Sequence, residues 1–369
     1  MIIVGRSADG EVLRRISGMA GEVKTIAWSE DGTKIAATGI LGDLRVWSWA
    51  TAPPAREAAG LLVNNGGGMV FSADGTRIAA SNPGDSVSVF ETRDLAKVAL
   101  AAGVFNPVAF LGPDQLVGLD RSGRLVSHDL LRHTNVLVGP NLREGLPPDA
   151  EISAAAYLPV AASGSVVVTG TEGTERIWKL GESHPAWELS VPGPSNSTGH
   201  ESNPGSISVA SEAGVAICVH RWGDVRVLEP SPRYLKWSWK LPDRPWRSSV
   251  FLSSDASWCL IADDDGNLRR FRTRDGKPLA SERNGAHFTR LAVGGLGGRI
   301  VAGTTKGEIQ VFGLDPIRAM TSLYATSDRS YSGEISVEDL RFSPDQQWLA
   351  ARTSAGTLRV WDLRMDRRW

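Results

Sequence analysis

The chain has 369 residues, 41% hydrophobic and 22% charged, with 40 basic against 41 acidic side chains. This composition suits a globular body with a sizeable core and excludes wholesale disorder. A formal charge of −1 supplies no bulk field for a phosphate backbone or an anionic bilayer, so neither nucleic acid nor membrane is an expected partner.

The N-terminal residues hold Ile2-Ile-Val4 before Arg6 and Asp9, far short of the apolar region of a signal peptide, and no later segment approaches a membrane span. Residues 1–10 therefore read as an N-terminal extension. Residues 11–16 read as an outer strand without inner strands of its own. Residues 23–29 then alternate apolar and polar, Glu30-Asp-Gly32 turns, residues 34–38 run back, and 44–49 follow after a second turn. That is a three-stranded meander with Gly and Asp where hairpins need them.

The third strand recurs eight times. It opens at Gly42, Asp85, Gly123, Gly173, Gly223, Gly266, Gly307 and Gly356, and closes on Trp47, Phe90, His128, Trp178, Leu228, Phe271, Phe312 and Trp361. A self-similar period of roughly 40 to 50 residues is the mark of a repeat architecture. No 3.6-residue apolar period persists between the runs, so helical solenoids are not expected. A fourth strand follows each triplet, as in Leu235-Lys-Trp-Ser-Trp-Lys-Leu241, where alternation assigns Trp237 and Trp239 to packing.

Four segments carry a family resemblance: Ala27-Trp-Ser-Glu-Asp-Gly-Thr-Lys-Ile-Ala-Ala37, Val70-Phe-Ser-Ala-Asp-Gly-Thr-Arg-Ile-Ala-Ala80, Arg341-Phe-Ser-Pro-Asp345 and the dipeptide Trp361-Asp362. The chain resembles a WD40-repeat β-propeller over essentially its full length. The resemblance implies a single all-β domain, 1–369, of four-stranded antiparallel blades. Eight blades are preferred from the count of runs, with seven as the alternative. Residues 11–16 are expected to pair with the last blade and close the ring, leaving 364–369 as a C-terminal tail. Because Trp-Asp survives once and the Gly-His pair once, at Gly199-His200, the family's hydrogen-bond tetrad is incomplete in most blades, and apolar packing between blades is expected to dominate stability.

Motifs for chemistry are sparse. The acidic turn Asp263-Asp-Asp-Gly266 fails as a calcium loop, since Ile261 and Arg272 would fall at ligand positions. The six histidines lack metal-ligand spacing, the two cysteines, Cys218 and Cys259, lack that of a disulfide scaffold or zinc site, and nucleophile elbows and phosphate loops are absent. No catalytic residue, metal or cofactor is expected. The reading is a cytoplasmic protein, bacterial by its Arg-, Ala- and Gly-rich composition, that acts as a non-catalytic scaffold or sensor module binding a protein or peptide on one face, alone or within a larger complex. The expected anchors are Arg244, Trp246 and Arg247 after the Pro turn that follows Trp239, with Arg329 and Tyr331 in the corresponding loop between repeats seven and eight. The alternative is a propeller enzyme or small-ligand binder using the central channel, like hydrolases and lactonases on related folds. Val23, Met69, Pro107, Ile152 and Ile207 at the starts of the inner strands speak against it.

Overall fold

The structure, a computed structural model, describes residues 2–5, 12–16, 23–28, 34–39, 44–48, 55–58, 61, 68–82, 84–144, 152–158, 165–170, 174–179, 182, 184–190, 206–210, 213–220, 223–229, 235–242, 248–294, 298–325 and 335–365. Strands β1 (Ile2–Gly5) and β2 (Val12–Ile16) pair as a hairpin, and β3 (Val23–Trp28), β4 (Lys34–Gly39) and β5 (Leu44–Ser48) form a three-stranded sheet. The short β6 (Ala55–Ala58) follows. Six sheets are then each built from four consecutive strands: β7–β10 (Met69–Phe71, Arg77–Ser81, Ser86–Glu91, Lys97–Ala102), β11–β14 (Asn106–Gly112, Gln115–Leu119, Arg124–Asp129, Thr134–Asn141), β15–β18 (Ile152–Leu158, Ser165–Gly170, Thr174–Lys179, Trp187–Ser190), β19–β22 (Ser206–Ala210, Val215–Val219, Asp224–Leu228, Leu235–Lys240), β23–β26 (Ser248–Leu252, Trp258–Asp263, Asn267–Arg272, Pro278–Arg283) and β27–β30 (Phe288–Gly294, Arg299–Thr304, Glu308–Leu314, Ile317–Tyr324). The last triplet, β31–β33 (Val337–Phe342, Trp348–Thr353, Leu358–Asp362), takes β6 as its fourth strand.

Turn chemistry explains the hairpins. Between the first two strands of three sheets a serine hydroxyl donates to an aspartate two residues on, Ser72 to Asp74 at 2.6 Å, Ser253 to Asp255 at 2.7 Å, and Ser343 to Asp345. The aspartate then accepts the backbone N–H two residues further on, from Thr76, Ser257 or Gln347. Before the third strand the chain must turn left-handed, and Gly123, Gly223, Gly266, Gly307 and Gly356 do so with φ between 68° and 81°.

Each apolar cluster lies between neighbouring sheets. Val167, Ile177, Ala216, Cys218 and Leu228 fill one seam, and Val219, Val227, Val250, Ile261 and Phe271 the next, with Trp237 and Trp239 packed against it as the alternation of β22 predicts. Hydrogen bonds stitch the inner strands across the same seams: the Val250 and Leu252 N–H groups donate to Ser206 and Ser208 hydroxyls, and the Leu291 N–H to Ser249, all at 3.0 Å. The last sheet meets β7–β10 in the same way, through Trp348, Leu358 and Val360 against Met69, Phe71 and Ile78, and through the Met69 N–H donating to Asp339 Oδ2 at 2.9 Å.

Two expectations are corrected. Among the described residues neither eight nor seven self-contained blades form: six do, because the first triplet is left without a fourth strand and the last borrows its own. Residues 11–16 do not close the last sheet either. β2 is occupied by β1, with Ile2 opposite Ile16 and Val4 opposite Arg14, whereas β6 pairs with β33, Ala58 opposite Leu358 and Ala55 opposite Trp361. The reason is connectivity. In the self-contained sheets the outer strand leads into the inner strand of the next, and β6 likewise leads into β7, with the Leu61 N–H between them donating to the Gly356 carbonyl at 2.8 Å. The β3–β5 sheet instead lies with β5 against β30.

Candidate functional face

In a meander of four antiparallel strands, the turn between the second and third strands and the connection from the fourth strand to the next sheet emerge at one end. The stitched sheets therefore present one face built from those glycine turns and those connections. Arg244, Trp246 and Arg247 belong to the connection from β22 to β23, and Arg329 and Tyr331 to that from β30 to β31. All five lie outside the described residues, but both connections leave from the same face.

The flanks of the first connection are firmly held. Trp239 Nε1 donates to the Thr273 carbonyl at 3.1 Å, its ring lies 5.1 Å from that of Phe271, and Leu241 is buried. The chain is thus held at Trp239 and Leu241, immediately before this connection. Across the same face Arg121 pairs with Asp85 at 2.9 Å, joining the glycine turns of two neighbouring sheets, and His287 Nδ1 donates to the Asp264 carbonyl at 2.5 Å.

The acidic turn is consumed structurally. Asp263 is buried, accepts the Asn267 backbone and side-chain N–H groups, and pairs with Arg269 at 2.8 Å. His128, expected as a stand-in for the strand-terminal aromatic, is buried at the end of β13 with Nδ1 against Asn135 Oδ1 at 2.6 Å. Among the described residues no group of three or more His, Cys, Asp or Glu side chains could hold a metal ion, and no helix is long and apolar enough to cross a membrane.

The inner strands are more polar than Met69 and Pro107 suggest. Asp339 faces Arg341, whose Nε lies 3.3 Å away, together with Arg290 and Arg352. Burial opposes ionisation of Asp339, but the three guanidinium groups and the Met69 N–H more than offset it and hold the carboxyl below its ordinary range. These groups are spent on joining sheets. The thiols are inert by the same physics: burial pushes Cys259 up to about 12 and Cys218 well above its usual value, the latter helped by the neighbouring Glu175. Both cysteines are free. The folded protein is expected to give no colour with a disulfide thiol reagent at pH 8 and two equivalents once denatured in urea.

One cluster was not anticipated from sequence. Glu175 on β17, fully buried, meets His220 Nε2 at 2.6 Å and Arg226 Nη1 at 3.1 Å, both from the neighbouring sheet. The signal was present in the repeats: aligned by strand register, Glu175 is the one acidic residue at a position filled elsewhere by Val87, Leu125, Val225, Leu268, Ile309 and Leu358.

Comparison with known families matches the WD domain, G-beta repeat model to residues 10–48 and 325–362. These are the segments holding β2–β5 and β31–β33, the two triplets that lack a fourth strand of their own. No curated protein matches the chain.

Proposed function

The chain belongs to the WD40-repeat propeller family, and on that premise we propose that it is a non-catalytic docking module whose glycine-turn face holds a protein or peptide partner. The observation that carries this reading is the common exit of the two connections, 243–247 and 326–334, from one rigid face. Stitched sheets supply a frame that need not change as the loops vary, which separates stability from recognition. Arg244, Trp246 and Arg247 are the anchors in this reading, since Trp and Arg combine large contact area with a polar tip. Arg329 and Tyr331 flank them from the second loop.

The absence of catalysis is supported by where the ionisable groups sit. Asp263, Asp339 and Glu175 are buried and paired with cations, and the thiols are held protonated. Two free buried thiols also suit residence in a reducing bacterial cytoplasm.

The test is affinity capture from the native host, comparing wild type with the combined Arg244→Ala, Trp246→Ala, Arg247→Ala variant at matched fold by circular dichroism. Hot-spot side chains each contribute about 2 kcal/mol or more, so the specific partner should be depleted at least about thirtyfold. Equal recovery of every co-purifying protein would remove these three residues from the interface.

A further inference from the structure

Strand register shows Glu175 and His220 to be departures from the repeat that meet one another. At the end of the second strand, entering the turn to the third, four sheets carry a short side chain that caps that turn: Asp120 accepts the Arg124 N–H at 2.8 Å, Asp263 that of Asn267 at 2.9 Å, and Thr304 and Thr353 those of Glu308 and Thr357 at 3.3 Å. In β19–β22 the same position is His220, and its ring reaches across the seam to Glu175 instead. Glu175 occupies the place that Val87, Leu125, Val225, Leu268, Ile309 and Leu358 fill, each of them fully buried like Glu175 itself. Arg226, paired in register with Cys218, completes the cluster from the same side as His220.

A lone buried carboxylate in such a layer would be strongly disfavoured, and a lone buried guanidinium likewise. Arginine recurs at the position of Arg226, as Arg176, Arg269 and Arg359, and finds other partners there, so the demand for a particular neighbour comes from Glu175. The surrounding seam, Val167, Ile177, Ala216, Cys218 and Leu228, lacks the buried aromatic side chains that shape other seams, such as Phe271 or Phe71 and Trp348, and its aliphatic residues offer little to tell one sheet from another. Buried ion pairs of this kind add little net stability over well-packed apolar residues, and their best-attested use is to set register. We propose that Glu175, His220 and Arg226 form a matched key that specifies β15–β18 and β19–β22 as neighbours, so that near-equivalent sheets assemble in one order during folding.

The experiment is urea unfolding and refolding of the full chain, with refolded monomer measured by gel filtration and tryptophan emission. Glu175→Leu alone should lower the midpoint, because His220 and Arg226 stay buried without a carboxylate. The combined Glu175→Leu, His220→Thr, Arg226→Val variant installs residues that other sheets carry at these positions. It should recover the wild-type midpoint while its yield of refolded monomer falls at least threefold, the remainder eluting as aggregates. A wild-type yield from this variant would overturn the proposal, as would a midpoint as low as that of Glu175→Leu, which would make the cluster an ordinary stabilising contact. Should the combined variant not accumulate as folded protein, Glu175→Gln with Arg226→Gln removes both permanent charges and keeps polar side chains. Reduced yield from it supports the key, and unchanged yield rejects it.

Discussion

A chain that begins at residue 49 is expected to unfold in one cooperative transition near the temperature of the full chain, whereas one that begins at residue 62 is expected to lose that transition or unfold far lower. The first deletion removes the β1–β2 hairpin and the β3–β5 sheet, whose β2 and β5 lie against the outer strand β30. The second also removes β6 and Leu61. Leu61 is 3% exposed, in the cluster that joins Trp348 and Leu358 to Met69 and Phe71, and losing such a side chain alone costs about 2–5 kcal/mol. Without β6 the edge of β33 is open along Leu358, Val360 and Trp361, a template for association with other chains. Against a total stability of about 5–15 kcal/mol this is a large loss. Calorimetry of the three chains decides the matter. A full-length melt from the chain starting at 62 would remove β6 as the completing strand, and a collapse of the chain starting at 49 would transfer that role to the hairpin or the first sheet.

Local pattern identified nearly every strand, because turn residues such as Asp74 and Gly123 act within four or five positions and need no partner elsewhere. Trp237 and Trp239 were legible for the same reason: alternation alone places them on the packed side of β22. Pairing across 300 residues has no such local signature. β2 and β6 are both short strands that mix arginine with aliphatic residues, and either could complete β33 by pattern. The choice falls to chain connectivity, since β6 alone leads directly into β7. The Glu175 cluster lay between these extremes. Its two anomalies are visible when repeats are aligned, but a carboxylate in an apolar series is interpretable only once His220 is seen 45 positions away on the facing sheet. The candidate face is legible at the level of loops, through the parity of antiparallel strands.

Replacing Asp339 with alanine is expected to lower the free energy of unfolding by about 3 kcal/mol at neutral pH, because the buried Arg352 and its neighbour Arg290 would lose the buried carboxylate between them, with Glu338 still acting on Arg352. The Met69 N–H would lose its acceptor at the same time. The contact also makes this junction sensitive to acid. Asp339 has its carboxyl held below the ordinary range, so its stabilising contribution is complete above the unfolded-state value of 3.8 and is lost as pH falls through the lower, folded-state value. The seams through Ser206, Ser208 and Ser249 use hydroxyl groups that do not titrate there. Acid should therefore loosen the junction between the last sheet and β7–β10 before those three. Urea midpoints of wild type and Asp339→Ala, measured from pH 7 down to pH 2.5, should converge as the pH falls, and amide exchange at Met69 should quicken ahead of that at Val250, Leu252 and Leu291. Parallel pH curves for the two proteins, with Met69 protected as long as Val250, would show that Asp339 does not hold this junction.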